Sequence, residues 1–356
     1  MRPYQNTFPI EWDEKDFKMA AAILANMTKI EAENVLATQM AKGSLTKEDI
    51  RLLTQEKDKL FSDISGLEKV KIDPEMLSVG GLSGLQQWLD NQKQLLTADL
   101  KARKLRPPRG VLLVGVPGCG KSLSAKFIAA TWNLPLYRLD FAAIQGMYVG
   151  QSENRLKEAF ESADNASPCI LWIDEIEKGL AANTSDSSGV TTRMIGQFLF
   201  WLQESTEKVF VVATANDITK LPPELLRKGR FDELFFVDLP EENERADIIN
   251  LYIEKNLLFR PSETFDKLVA LSSGFAGSDL EGAVRDVAIQ AVINGDDFVN
   301  DKLYETCFRN IVPLSKTSPE KIDAIREWGK ERALPASGLS WKPSDDKVTV
   351  RRSIII

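Results

Sequence analysis

The sequence predicts an α/β fold built on a parallel five-stranded sheet, and three observations carry that prediction. Five short apolar runs, Val111 to Val114, Leu136 to Leu139, Cys169 to Ile173, Val209 to Ala213 and Leu234 to Val237, are separated by segments of helical periodicity. Most of the runs are continuous rather than alternating, the pattern of strands covered by helices on both faces of a parallel sheet. The first run leads straight into a glycine-rich loop and a helical pattern.

Either side of these strands the grammar is helical. From Asp13 to about Lys71 the chain is dense in Ala, Leu, Glu and Lys, with Ile30, Val35, Leu36 and Met40 at helical spacing. Thr28 with Glu31 and Thr46 with Asp49 have the spacing of capping boxes, and Gly43-Ser44 has the composition of a turn between helices. A connector containing Pro74, Gly80, Gly81 and Gly84 follows. Beyond about Glu241 the strands stop, and Ala246 to Glu254, Phe265 to Leu271, Ser278 to Asn294 and Ser318 to Arg332 read as helices. The expected organisation is a small helical N-terminal domain over 1–75, the α/β domain over 76–241, a helical second domain over 242–335 and a tail over 336–356. The N-terminal domain is expected either to pack on its neighbour or to dock a substrate or adaptor. The alternation at Val348 to Val350 and the terminal Ile354-Ile355-Ile356 suit a strand or a docking segment.

Composition narrows the chemistry. A net charge of −7 argues against a chain whose main work is neutralising phosphate backbones, so nucleic acid is not an expected partner. Cys119, Cys169 and Cys307 are too scattered for a zinc cluster or a disulfide framework, which fits a reducing, cytoplasmic compartment. There is no histidine, so imidazole bases and Ser-His-Asp triads are excluded, and catalysis must run on carboxylates, Lys, Arg, hydroxyls and bound ions. No apolar run approaches the roughly 18 residues of a membrane span, and residues 1–12 lack the apolar centre of a signal peptide.

The segment Gly115-Val116-Pro117-Gly118-Cys119-Gly120-Lys121-Ser122 matches G-x-x-x-x-G-K-[ST] in the context that motif requires, a strand before and a helix after. Its glycines let backbone N–H groups wrap around phosphates, and the helix that follows aims its positive dipole end at the same anion. Lys121 is expected to reach the β- and γ-phosphates of ATP, and Ser122 to ligate Mg²⁺. Cys119 is either a space-filler or an oxidation sensor. The run Cys169 to Ile173 ends in Asp174-Glu175, two carboxylates that are costly at a strand end unless a cation sits there. Asp174 is the expected Mg²⁺ partner, and Glu175 the expected base for an attacking water.

With these motifs in their order, residues from about Val79 to Arg332 resemble the AAA ATPases, in the branch of the proteasomal regulatory ATPases and the membrane protease FtsH. The resemblance implies an α/β ATPase domain with a helical lid, working in an oligomeric, commonly hexameric ring. Pro107-Pro108-Arg109-Gly110 leads into the phosphate loop as in that family, and Val79-Gly80-Gly81-Leu82 matches the segment beside adenine. Asn216, in Ala213-Thr214-Ala215-Asn216, corresponds to the polar residue that positions the lytic water. Arg227 and Arg230, in Leu225 to Asp232, correspond to paired arginine fingers that enter the site of the adjacent subunit. Gly274 to Leu280 resembles the lid segment that approaches adenine and ribose, giving Gly277 and Ser278 as contacts. The nucleotide-binding set is then Val79, Gly80, Pro117, Gly118, Cys119, Gly120, Lys121, Ser122, Leu123, Gly277 and Ser278.

Met147 to Glu153 is similar to the pore loop of that branch, where an aromatic grips an extended polypeptide. Tyr148 is the gripping candidate, with exposed-loop packing as the alternative; Met147 and Gln151 depart from the basic and glutamate residues usual there. The stretches around Trp88, from Cys169 to Glu175, from Val312 to Ser315 and from Arg326 to Trp328 resemble single-ring AAA proteins encoded in cyanobacteria and plastids, which would place the chain in the plastid stroma if plastid-encoded. The expected function is Mg²⁺-dependent ATP hydrolysis coupled to remodelling or unfolding of a protein partner. The alternative is an ATP-gated assembly scaffold in which slow hydrolysis acts as a timer.

Overall fold

The computed structural model describes residues 9–24, 29–47, 49–50, 52–53, 66–72, 80–98, 100–144, 151–180, 189–227, 229–256, 258–261, 263–295 and 298–338. Val79, Tyr148, the Thr28–Glu31 capping pair's first residue and the tail beyond 338 lie outside them.

Seven strands form one sheet in the order β1-β3-β4-β5-β2-β6-β7. They are β1 (Leu67–Val70), β2 (Gly110–Gly115), β3 (Leu136–Leu139), β4 (Cys169–Ile173), β5 (Val209–Ala215), β6 (Glu233–Val237) and β7 (Leu334–Pro335). The five expected strands are parallel to one another and make the centre. Two edge strands extend the sheet beyond the five expected. β1 runs antiparallel against β3, and two-residue β7 runs parallel against β6. Neither has the long apolar run that announces a central strand: β1 is buried at Leu67 alone, and β7 contains a proline, which a sheet tolerates at its edge. The boundary expected near residue 75 therefore falls after a strand that belongs to the sheet.

All six residues of β2 are buried because successive side chains enter opposite cores. Leu112 and Val114 join Leu171, Ile173, Val211 and Ala213 in the core covered by α6 (Gln151–Asn165) and α8 (Val190–Glu204). Val111 and Leu113 join Ile170, Trp172, Phe210 and Val212 in the core covered by α3 (Ser83–Thr97) and α4 (Lys121–Trp132). Aromatic contacts tie each helix layer down. Phe160 stacks on Trp201 at 4.4 Å on one face, and Trp132 packs on Phe210 at 4.7 Å on the other. Short α5 (Phe141–Ile144) and α7 (Ile176–Leu180) complete the first face.

A third core, built on Ile249, Phe265, Leu268, Phe275, Leu280, Val284, Tyr304 and Phe308, belongs to the helical second domain. Its helices are α9 (Glu242–Lys255), α10 (Phe265–Leu271), α11 (Gly277–Asn294) and α12 (Asp301–Asn310). After the single turn α13 (Leu314–Thr317), α14 (Pro319–Arg332) leaves this core. Ile325 and Trp328 pack against the first α/β core, Arg326 pairs with Asp238 at 2.9 Å, and Gly329 lies so close to Phe236 that a Cβ there would overlap the ring. The expected domain over 242–335 thus divides, its last helix returning to the sheet. Helical periodicity reports that a helix is half-buried, not which core receives it.

The N-terminal residues have a fourth core of Trp12, Ala20, Val35, Leu45, Ile50 and Leu53, formed with α1 (Glu14–Leu24) and α2 (Lys29–Met40). Gly43 turns the chain at φ 93°, a left-handed conformation that suits glycine. The Asp49 carboxylate accepts the Thr46 backbone N–H at 2.7 Å, the return half of the expected capping box.

Candidate functional site

The C-terminal ends of β4, β5 and β2 lie side by side, so the loops that leave them meet. Open α/β sheets bind ligands at such an edge. The loop after β2 turns at Gly118 (φ 77°) and Gly120 (φ 86°), and a side chain is strained at both. It delivers the chain to the N-terminus of α4, where the first backbone N–H groups lack partners within the helix.

Lys121, the first residue of α4, is 5% exposed, and its Nζ donates to the carbonyls of Gly115 at 2.9 Å and Val116 at 2.7 Å. Burial pushes this ammonium down to about 8, against the opposing pull of the nearby acidic groups. The Cys119 thiol is pushed up to about 12 by burial, which keeps it protonated and favours the space-filling reading over oxidation sensing.

The polar groups beside the loop form a connected network. The Ser122 hydroxyl donates to Asp174 Oδ1 at 2.7 Å, and the Thr214 hydroxyl donates to the same oxygen at 2.7 Å. Thr214 Oγ1 in turn accepts the Glu175 backbone N–H at 2.9 Å. Glu175 takes φ 48°, a left-handed conformation uncommon for a non-glycine residue, as the chain turns from β4 into α7. Its Oε1 accepts from Asn216 Nδ2 at 2.8 Å, and its Oε2 is paired with Lys178. Ser122, Asp174, Glu175 and Asn216, 94 positions apart at their extremes, are thereby one constellation.

The lid closes over the loop. The Ser278 backbone N–H donates to the Gly118 carbonyl at 2.9 Å, and a Cβ on Gly118 would overlap Ser278 Oγ. On the far side, Glu244 accepts the Leu82 N–H at 3.2 Å and the Glu241 N–H at 3.0 Å, joining the 80–82 segment to the start of α9. Gly80 lies against Ile248.

Arg227 and Arg230 are elsewhere. Asp232 Oδ2 accepts the backbone N–H groups of Arg109 at 2.6 Å and Gly110 at 2.9 Å, where β2 begins, and Arg230 Nη1 donates to Gln203 Oε1 near the end of α8. The Gln203 carbonyl also accepts from Arg106 at 2.6 Å and Arg109 at 3.3 Å. Arg230 is thus at the N-terminal edge of the sheet, separated from its own phosphate loop by the six residues of β2, about 17 Å of strand. Arg227 is exposed, and its guanidinium has no hydrogen bond or ion pair among the described residues.

The family model described as "ATPase family associated with various cellular activities (AAA)" matches residues 111–239. Residues 111–239 are an AAA domain. Among the chain's relatives is the "Uncharacterized AAA domain-containing protein ycf46" of Trieres chinensis, 38% identical over 80% of this chain and 58% of that protein. The protein of the same description in Guillardia theta is 40% identical over 79% of this chain and 56% of its own length. The chain spans less than three fifths of the length of these two curated relatives. The crystal structure of the FIGL-1 AAA domain superposes with a TM-score of 0.62 at 20% identity, covering 78% of this chain and 96% of that one, which establishes a shared fold.

The site of this AAA domain also contains residues to which sequence reasoning gave no role. Thr214 joins the Asp174 and Glu175 arms, and a hydroxyl two residues before Asn216 in a buried strand was its only signal. Lys178 and Glu177 flank the catalytic candidate on a single turn of helix, where charge ordinarily reads as capping. Glu177 is 3% exposed and accepts the Asn216 backbone N–H at 2.9 Å and the Asp217 N–H at 3.3 Å through Oε1.

Among the described residues no group of three or more His, Cys, Asp or Glu is arranged to hold a metal, and no helix is long and apolar enough to cross a membrane. A Mg²⁺ that accompanies phosphates does not need such a group: it takes one or two protein oxygens and keeps several waters. The Ser122 hydroxyl and Asp174 carboxylate, hard oxygen donors 2.7 Å apart beside the phosphate loop, fit that demand.

Proposed function

We propose that this protein binds ATP at the C-terminal edge of its sheet and hydrolyses it within a homo-oligomeric, hexameric ring, coupling turnover to remodelling or unfolding of a protein partner. The connected network from Ser122 through Asp174, Thr214 and Glu175 to Asn216 is the observation that carries the hydrolytic reading. It fixes the base and its orienting partner against the phosphate loop before any ligand arrives, so little reorganisation is left for the reaction itself.

Each residue has a task in this reading. The loop N–H groups from Gly118 to Leu123 and the Lys121 ammonium hold the phosphates, with Pro117 shaping the loop, and Lys121 exchanges its two carbonyl partners for phosphate oxygens. Ser122 and Asp174 would hold Mg²⁺, which supplies charge neutralisation on the phosphates. Glu175 Oε1 accepts the proton of the attacking water while Asn216 Nδ2 orients that water and the carboxylate together. Gly277 and Ser278, against the loop at Gly118, bring the lid to the nucleotide, and Gly80 serves the adenine side. Arg227 and Arg230 serve the site of the next subunit, because the length of β2 separates Arg230 from its own. A head-to-tail contact of this kind, repeated with a rotation that closes, makes a ring.

The threading role of Tyr148 and the protein nature of the partner rest on the resemblance of residues 147–153 to the pore loop of AAA unfoldases. Measuring ATP turnover per protomer with Mg²⁺ over a range of protein concentrations tests the proposal, with Glu175→Gln as the blank. Specific activity is expected to climb with concentration. ATP binding with negligible turnover at every concentration would instead support the scaffold reading.

A further inference from the structure

Glu177 is the most deeply buried carboxylate in the constellation, and the mechanism above leaves it without a task. A buried carboxylate is retained at a cost unless its oxygens find donors. Here they are divided. Oε1 accepts two consecutive backbone N–H groups, those of Asn216 and Asp217, while Oε2 is buried without a partner among the described residues. The two amides are the first beyond the end of β5, where ladder hydrogen bonding stops and the chain turns into the single 3₁₀ turn of Ile218–Lys220. Among the described residues Glu177 is the acceptor of both amides, so it holds the backbone where Asn216 leaves the strand.

We infer that Glu177 is a positioning residue: by gripping the Asn216 and Asp217 amides it sets the distance between the Asn216 side chain and the Glu175 carboxylate. The geometry makes a short closed circuit. Glu177 lies two residues after Glu175 on α7, Glu177 holds the Asn216 backbone, and the Asn216 side chain returns to Glu175 Oε1 at 2.8 Å. Any slack in the Glu177 grip appears directly as slack between the base and the group that orients it. Misplacement of a reacting group by about 1 Å can cost on the order of 100-fold in rate. The unpartnered Oε2 shows that one acceptor oxygen performs this work, so a neutral carboxamide in the same place should suffice.

The inference rests on the hydrolytic reading for its consequence, but its geometric core can be tested separately. In the full chain, Glu177→Ala is expected to lower kcat for ATP by about 10-fold to 100-fold while KM moves less than about threefold. Glu177→Gln, whose carbonyl can accept the same two N–H groups, is expected to recover kcat to within about threefold of the parent. A Glu177→Gln protein that binds ATP but is as inactive as Glu175→Gln would overturn positioning in favour of a chemical role. Unchanged kcat in Glu177→Ala would overturn it as well. Hydrogen exchange of the Asn216 and Asp217 amides decides the matter independently of turnover. Faster exchange there in Glu177→Ala, with β2 unchanged, is the expected result, and unaltered exchange contradicts the inference even if the parent proves to have no ATPase activity.

Discussion

The two ends of the central strands hold very different chemistry. At the C-terminal edge, Ser122, Asp174, Glu175, Glu177 and Asn216 are joined, with Thr214 between them, by hydrogen bonds of 2.7 to 2.9 Å, and Lys121 beside them donates to the loop carbonyls of Gly115 and Val116; Lys121 and Glu177 are almost fully buried. At the N-terminal edge Arg230 leans on a single glutamine, and the guanidinium of exposed Arg227, three residues earlier in the chain, has no partner among the described residues. A polar network connected within one chain holds its own geometry, whereas an exposed cation with no acceptor in its own chain is free to meet a group from outside it. Under the proposed function these are two unequal halves of a site, one assembled within the chain and one that a second copy completes.

Removing the incomplete half should have the largest effect. Arg227→Ala and Arg230→Ala are each expected to lower ATP turnover by about 10³-fold or more in the assembled protein, with ATP affinity close to the parent's, since arginines supplied in trans act on transition-state charge. Steady-state kinetics beside equilibrium binding checks this. Loss of affinity in step with turnover would mean that the arginines serve their own chain. Damage to the internal half should come next: Glu175→Gln is expected to cost about 10²-fold to 10⁴-fold in kcat and to retain bound ATP.

A smaller effect follows from the burial of Lys121. Its folded-state pKa, lowered from 10.5 to about 8, means that the ammonium is charged below pH 8 and neutral above it in the free protein. Phosphate favours the charged form, so binding takes up a proton above pH 8 and none below. ATP affinity should be flat up to about pH 8 and then fall by up to about tenfold per pH unit. For stability the sign reverses. A depressed lysine pKa penalises the folded state fully below pH 8, and the penalty is relieved as pH rises from about 8 toward 10.5, where the unfolded chain still binds the proton. Calorimetric titration across pH 7 to about 9.5 reads the affinity change, and an affinity that rises with pH would contradict the assignment.

The smallest expected effect lies away from both halves. Gly329→Ala places a methyl group into the Phe236 ring and should destabilise the protein by about 1–3 kcal/mol, lowering the thermal midpoint without changing ATP affinity. An unchanged midpoint would show that α14 adjusts freely on the sheet.

The sequence made one edge of the sheet much easier to see than the other. Gly118, Gly120, Lys121 and Ser122 could be placed because a phosphate loop needs fixed spacing within eight consecutive residues. The pairing of Asp174 with Ser122 followed from the same chemistry, since a strand-end carboxylate needs a cation. Thr214 and Glu177 were hidden because their work is done through backbone N–H groups and a shared hydroxyl, and neither has a sequence pattern of its own. In the fold, continuous apolar runs revealed the five central strands, while β1 and β7 escaped notice because edge strands are short and half-polar. The return of α14 to the sheet was hidden for another reason: its apolar face would look the same against either core.

Under the proposed function, hydrolysis needs Glu175 from one chain and Arg230 from another. Mixing Glu175→Gln with Arg230→Ala, each inactive alone, tests it most directly. In a randomly mixed ring about a quarter of the interfaces join an intact Glu175 to an intact Arg230. Recovery of ATP turnover toward that fraction is the predicted result, and a mixture that assembles, binds ATP and remains inactive would contradict the shared site.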